Sequence, residues 1–359
     1  MHPTPLRLSR LYGLFSLPPA HRMRRAVTVG MLAVLAVLAA AAAPAHAQEP
    51  LREALRARIA QRQADRGDAA SAPAGAADAG PQTLQVQGRT VLVHLPAGHD
   101  GRRPWPLVLA FHGGGGHAAY MADDSRYGLQ RQADRSGFIV AFPNGHSRWP
   151  GGRLATWNAG GCCGDARDRG SDDVGFARAV VAALQARYPV DPARVFATGM
   201  SNGGMLSHRL ACEAADVFRA VAAVAGTDAT TQCNPSRPVS VLQIHARDDD
   251  HVLFDGGAGP GAFRDASKVM DFVSVPETIA RWTRRNHCPP QTPQRVLDLP
   301  GATCEASTGC AGGSTVQLCV TATGGHSWPG AQRVRAGKPD ASQALDANDL
   351  IWRFFEAVR

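Results

Sequence analysis

Gly199-Met200-Ser201-Asn202-Gly203 constrains the fold of this 359-residue chain more than any other stretch, because of what flanks it. Arg194-Val195-Phe196-Ala197-Thr198 before it reads as a strand. A helix follows from about residue 203, its pattern clearest over Met205 to Ala215. A serine between strand and helix sits on a tight, strained turn, so the positions two residues away on either side must lack bulk. Gly199 and Gly203 meet that requirement. In a chain with 38 glycines the five-residue pattern alone is weak; its strand and helix neighbours give it weight.

The rest of the chain alternates in the same way. Leu107 to Phe111, Phe138 to Phe142, Val221 to Ala225 and Val239 to His245 are short apolar runs of buried-strand type. Val174 to Tyr188 carries apolar residues at helical spacing, with Asp172 and Asp173 as candidate caps. Pro276 to Asn286 and Leu345 to Val358 read as further helices. Strands alternating with helices predict an α/β fold with a mostly parallel central sheet and helices on both faces.

Serine at its ordinary pKa is a weak nucleophile and needs a base, which in turn needs an orienting carboxylate. On a strand-turn-helix serine of this kind the chain order is serine, acid, histidine. Downstream of Ser201, the strand ending at His245 runs into Asp248-Asp249-Asp250, any of which can be the acid, the others being solvated turn residues. His326 follows in Gly324-Gly325-His326-Ser327-Trp328-Pro329-Gly330, after the strand-like Val316 to Thr323. His245 and His251 lie too close to the acids to satisfy the order. His112-Gly113-Gly114-Gly115-Gly116, after the strand Leu107–Phe111, offers backbone N–H groups of Gly113 or Gly114 to an oxyanion, alongside the N–H of Asn202. No metal or organic cofactor is expected.

Charge excludes some partners. The chain has 38 Lys and Arg against 30 Asp and Glu, but five of the basic residues lie before residue 48, where there are no acids. The remainder is close to neutral, which gives no support to a nucleic-acid partner. Arg24-Arg25, the apolar Ala26 to Ala43 and Ala45-His46-Ala47 have the order of an export signal, so residues 1–47 are expected to be a leader, with Met1 or Met23 as start, and the product secreted without stable membrane insertion. Residues 48–82 read as a polar linker, with a short helix over Leu51 to Asp65, and 83–359 as the folded domain. Eight cysteines in an exported chain suggest disulfides. Cys288, Cys304, Cys310 and Cys319, in a Gly/Thr/Ser-rich stretch, are expected to pair among themselves, and Cys212 with Cys233 across one strand.

Several blocks together resemble the polyhydroxybutyrate depolymerase-type esterases, a group with the feruloyl and acetylxylan esterases of the first carbohydrate-esterase family, in the α/β-hydrolase superfamily. They are Pro106-Leu107-Val108 leading into His112-Gly113, Gly137-Phe138-Ile139-Val140, Trp157-Asn158-Ala159-Gly160 with Cys162-Cys163-Gly164, and Asp172-Asp173-Val174-Gly175-Phe176. Asp191-Pro192-Ala193-Arg194-Val195, the Ser201 block with Leu210-Ala211-Cys212-Glu213, and Gly325 to Gly330 complete them. The resemblance covers roughly residues 84–356 and implies Ser201 as nucleophile and His326 as base. The family pattern His-Gly-x-x-Asp-x-x-Val selects Asp249 as the acid, although Ala246 replaces the glycine and Asp248 stays an alternative. It also implies Trp157, Trp328 and His112 beside the substrate, and the pairings Cys288–Cys310 and Cys304–Cys319.

The expected activity is hydrolysis of polyhydroxybutyrate or its hydroxyalkanoate oligomers through an acyl-enzyme, with feruloyl or acetylxylan ester hydrolysis as the alternative. No substrate-binding module follows the last helix, which favours soluble oligomers or cell-wall esters over solid polymer. A non-catalytic binding protein on this scaffold would not need serine, acid and histidine together, and no peptidase specificity is readable.

Overall fold

The computed structural model describes residues 81–358, except 263–264, 333 and 335–337. The expected leader, the helix over Leu51 to Asp65 and the linker up to residue 80 lie outside the described residues. Among the described residues ten strands form one sheet: β1 (Gln82–Val86), β2 (Arg89–His94), β3 (Trp105–Phe111), β4 (Ile139–Pro143), β5 (Val190–Met200), β6 (Ala220–Val224), β7 (Ser240–Ala246), β8 (Gln294–Leu299), β9 (Ala302–Ser307) and β10 (Val316–Thr321). Their order is β1-β2-β4-β3-β5-β6-β7-β10-β9-β8. The central run from β4 to β10 is parallel throughout, while β1-β2-β4 and β10-β9-β8 extend it antiparallel on both sides.

The helices are α1 (Ala118–Met121), α2 (Leu129–Ser136), α3 (Gly164–Asp168), α4 (Asp173–Arg187), α5 (Asn202–Glu213), α6 (Val275–Arg285) and α7 (Ala347–Glu356). Strand alternation divides the core in two. Leu107, Leu109 and Phe111 face a cluster with Phe176 and Val180 of α4, Leu206 and Leu210 of α5 and Trp282 of α6. Val108 and Ala110 face the opposite cluster, with Leu129 of α2 and Ile351 and Phe355 of α7. Helices therefore cover both faces, which is why β3, β4, β6 and β7 are buried at every position. The chain leaves β3 for β4 on one side and returns to β5 on the other. The carboxyl ends of β3 and β5 thus border the point where strand order reverses, where sheets of this kind place their sites.

The helix expected from about residue 203 is present and begins at Asn202, directly after Ser201; Gly203 and Gly204 hide the apolar period of its first turn while their small size lets it pack closely. The Gly/Thr/Ser-rich stretch 288–319 holds β8 and β9, an antiparallel extension that ends on the strand expected from Val316. The staples are present: Cys288–Cys310, Cys304–Cys319 and Cys212–Cys233 are bonded. Cys304 and Cys319 stand directly opposite each other on β9 and β10. The neighbouring sulfurs of Cys162 and Cys163 are also in contact. No helix among the described residues is long and apolar enough to cross a membrane.

Candidate active site

Ser201 stands between β5 and α5 with φ 55° and ψ −120°, a conformation that non-glycine residues rarely adopt and that costs about 1–3 kcal/mol. Its surroundings leave no other path. A Cβ on Gly199 would lie 2.5 Å from the Gly203 carbonyl, and a Cβ on Gly203 would lie 2.2 Å from the Phe111 carbonyl oxygen. Gly226, which the motif does not flag, is equally tight: its Cβ would come 2.2 Å from the Ser201 carbonyl oxygen. The Ser201 N–H donates to Val224 O at 2.8 Å, fixing the turn to β6. The seryl oxygen is thereby carried at the N-terminus of α5, where negative charge is stabilised.

The loops after β7 and β10, neighbouring strands, bring Asp249 and His326 together. His326 Nδ1 lies 2.8 Å from Asp249 Oδ2 and 3.0 Å from Oδ1. Asp249 Oδ1 also accepts the backbone N–H groups of His251 at 2.8 Å and Val252 at 3.0 Å. Burial opposes the charge on Asp249, but hydrogen bonds from His245 and His326 outweigh it and hold the carboxyl well below the usual carboxylate range. Nδ1 of His326 is therefore the protonated nitrogen of the neutral ring, which frees Nε2 to accept a proton.

None of the three consecutive acids is simply solvated, contrary to the reading of the turn from sequence. Asp248 accepts the Gly325 N–H at 2.8 Å and so holds the loop that carries His326. Asp250 pairs with His251 Nδ1 and stands 3.6 Å from Lys338 Nζ. The His251 ring in turn stacks on His326, with centroids 4.3 Å apart and planes at 12°. Burial, then the proximity of His326, holds His251 below its ordinary pKa.

Ser201, His326, Gly113, Gly114 and Asn202 all line one cavity of about 700 Å³. Gly115 N–H is taken by Ala155 O and Gly116 N–H by Gly113 O, so Gly113 and Gly114 are the loop's candidate oxyanion donors. The Asn202 side chain is locked to the Trp157 backbone, accepting at 2.7 Å and donating at 2.9 Å, so what Asn202 offers the cavity is its own backbone N–H. Met205, Val252 and Phe272 pack together as an apolar part of the lining, and Tyr120, Tyr127 and Trp328, in edge-on contact, form an aromatic wall.

Of the three side chains expected beside the substrate, only Trp328 lines the cavity. Trp157 and His112 are fully buried behind it. Trp157 Nε1–H donates to His112 O at 2.9 Å, and His112 takes a Gly145 N–H on Nε2 at 3.0 Å while its Nδ1–H donates to Gly113 O at 2.8 Å. Burial lowers the His112 pKa to about 4, so it is a neutral strut for the glycine loop. The aromatics were recognisable from sequence; the side of the loop they occupy was not.

Asp249, His251 and His326 also offer ligand atoms within 4.8 Å of one another. Near-parallel imidazole planes cannot both aim in-plane lone pairs at one ion, and the Asp249 carboxylate is already turned to His326 Nδ1. The arrangement suits proton transfer from a hydroxyl and stabilisation of an oxyanion, which together serve acyl transfer.

Comparison with known proteins agrees with this chemistry. Residues 90–270 match the family model described as esterase PHB depolymerase. The chain is 32% identical to feruloyl esterase B of Piromyces equi over 66% of its own length and 42% of that protein, so the match spans about two-fifths of the relative. It is 34% identical to a protein named as an esterase in Nocardia uniformis subsp. tsuyamanensis, over 68% of this chain and 72% of that one. Among solved structures, the acetyl xylan esterase from Aspergillus awamori is similar in fold, with TM-score 0.52 at 14% identity over 77% of this chain and 99% of that one.

Proposed function

The chain belongs to the esterase PHB depolymerase family, and from that premise we propose that it is a serine carboxylesterase with Ser201 as nucleophile, His326 as general base and Asp249 as the orienting acid. The observation that carries this reading is the contact of both oxygens of the buried Asp249 with Nδ1 of His326, which lines the same cavity as Ser201. Ser201 Oγ attacks the ester carbonyl carbon as His326 Nε2 takes its proton. The oxyanion is held by backbone N–H groups of Asn202 and of Gly113 or Gly114. His326 returns the proton to the departing alcohol, and water, activated by the same nitrogen, releases the acid from the acyl-enzyme. Asp249 stays ionised and holds the imidazolium.

The substrates proposed first are soluble hydroxyalkanoate oligomers, in keeping with the family's description. A second reading, feruloyl or acetylxylan esters, is favoured by the aromatic wall of Tyr120, Tyr127 and Trp328 and by the feruloyl esterase among the relatives. Export through the leader at 1–47, ahead of a linker and a domain from 83 onward, is part of the proposal; disulfides persist in oxidising compartments, which supports it. The test pairs hydroxybutyrate oligomers with methyl ferulate, using Ser201→Ala as control. The variant is expected to lose at least about 10⁴-fold in p-nitrophenyl ester turnover with its fold intact. Retained turnover would defeat the serine mechanism, and ferulate release alone would select the second substrate class.

A further inference from the structure

Behind Asp249 lies a run of buried polar side chains that the catalytic steps do not use. Trp282, His208, Gln243 and His245 are each at most 1% exposed. Trp282 Nε1 is 3.0 Å from His208 Nδ1, His208 Nε2 is 2.9 Å from Gln243 Oε1, and Gln243 Nε2 is 3.1 Å from His245 Nδ1. His245 Nε2 then lies 2.8 Å from Val252 O and 3.3 Å from Asp249 Oδ2.

The direction of this chain follows from its first member. An indole N–H can only donate, so His208 Nδ1 must accept. His208 is held below its ordinary pKa chiefly by burial, so it is neutral and its single proton sits on Nε2. That proton goes to the Gln243 oxygen, which turns the amide NH₂ toward His245 Nδ1. His245 Nδ1 therefore accepts, and its proton sits on Nε2, donated to the Val252 carbonyl 2.8 Å away, with Asp249 Oδ2 3.3 Å from the same nitrogen. The opposite tautomer would put a lone pair against a carboxylate and a carbonyl in a buried site, where unpaired acceptors are costly.

We infer that His245 is a positioning residue for the catalytic acid, its Nε2–H fixed by the one-way chain from Trp282 on the Val252 carbonyl and against Asp249 Oδ2. The chain couples α6, through α5 and β7, to the carboxylate that orients His326, and holds that carboxylate against rotation. The inference rests on the reading of Asp249 as the triad acid.

The tautomer is read directly by long-range ¹H–¹⁵N correlation of the histidine-labelled protein, with assignment by single variants. His245 protonated on Nε2 and bare on Nδ1 is expected; the reverse would overturn the inference. His245→Phe removes the donor and is expected to lower kcat about tenfold with KM within about twofold, while His245→Gln, which restores an N–H, recovers most of the loss. Unchanged kcat in His245→Phe, or no recovery in His245→Gln, would also overturn it. Should His245→Phe fail to fold, the tautomer and the kcat of His245→Gln decide. Asp249→Asn separates the two claims. If that variant keeps its activity, the triad reading is wrong; if it loses activity while His245→Phe keeps kcat, only the present inference fails.

Discussion

Asp248 and Asp249 are adjacent and chemically identical, yet one faces the His326 ring and the other the backbone of the loop that carries it. The difference lies in the turn after β7, which points successive side chains in different directions. Asp249→Asn is expected to lower kcat by about 10⁴-fold, because an amide can hold the imidazole in the wrong tautomer. Asp248→Asn keeps an acceptor for the Gly325 N–H and should lose less than about tenfold. Steady-state kinetics on a p-nitrophenyl ester check both, and equal losses would count against the assignment. His112 makes a separate prediction. Its folded-state pKa of about 4 lies below the unfolded value, so the unfolded chain binds the extra proton first. Its contribution is complete above about pH 6.5 and is lost as pH falls toward 4, amounting to about 3 kcal/mol. His112→Gln, with a donor and an acceptor of its own, should flatten that part of the stability-pH curve measured by denaturant unfolding.

At the scale of elements, the sequence reveals what is regular and buried. β3, β4, β6 and β7 announce themselves as short apolar runs because both faces are covered by helices. The cap of α4 is equally legible: Asp172 accepts the Gly175 N–H at 2.8 Å, as its place before the apolar period implies. β8 and β9 are not legible, since β8 is exposed along most of its length at the sheet edge and β9 only alternates. The disulfide across β9 and β10 makes their pairing testable. It closes a loop of 15 residues, so Cys304→Ala with Cys319→Ala should cost about 3 kcal/mol in thermal or denaturant unfolding. Activity at 25 °C should persist, because β10 keeps its six-residue parallel register with β7 and so still delivers His326.

For the whole molecule, the sheet brings distant segments to one edge: Gly113 after β3, Ser201 after β5, Asp249 after β7 and His326 after β10. Ser201 and His326 stand out in the sequence as candidates because the proposed chemistry demands glycines and a fixed order nearby. The choice of Asp249 among three acids rests there on family resemblance alone. The struts behind the site, His112, Trp157 and His245, are not readable, since burial and hydrogen-bond direction exist only after folding. The central claim is that Ser201 forms the covalent acyl intermediate. A serine-reactive p-nitrophenyl phosphonate, followed by peptide mapping by mass spectrometry, tests it most directly. One adduct per chain on the peptide containing Ser201, with activity lost in proportion, is the predicted result. Full labelling elsewhere, or an active enzyme that takes up no label, would contradict it.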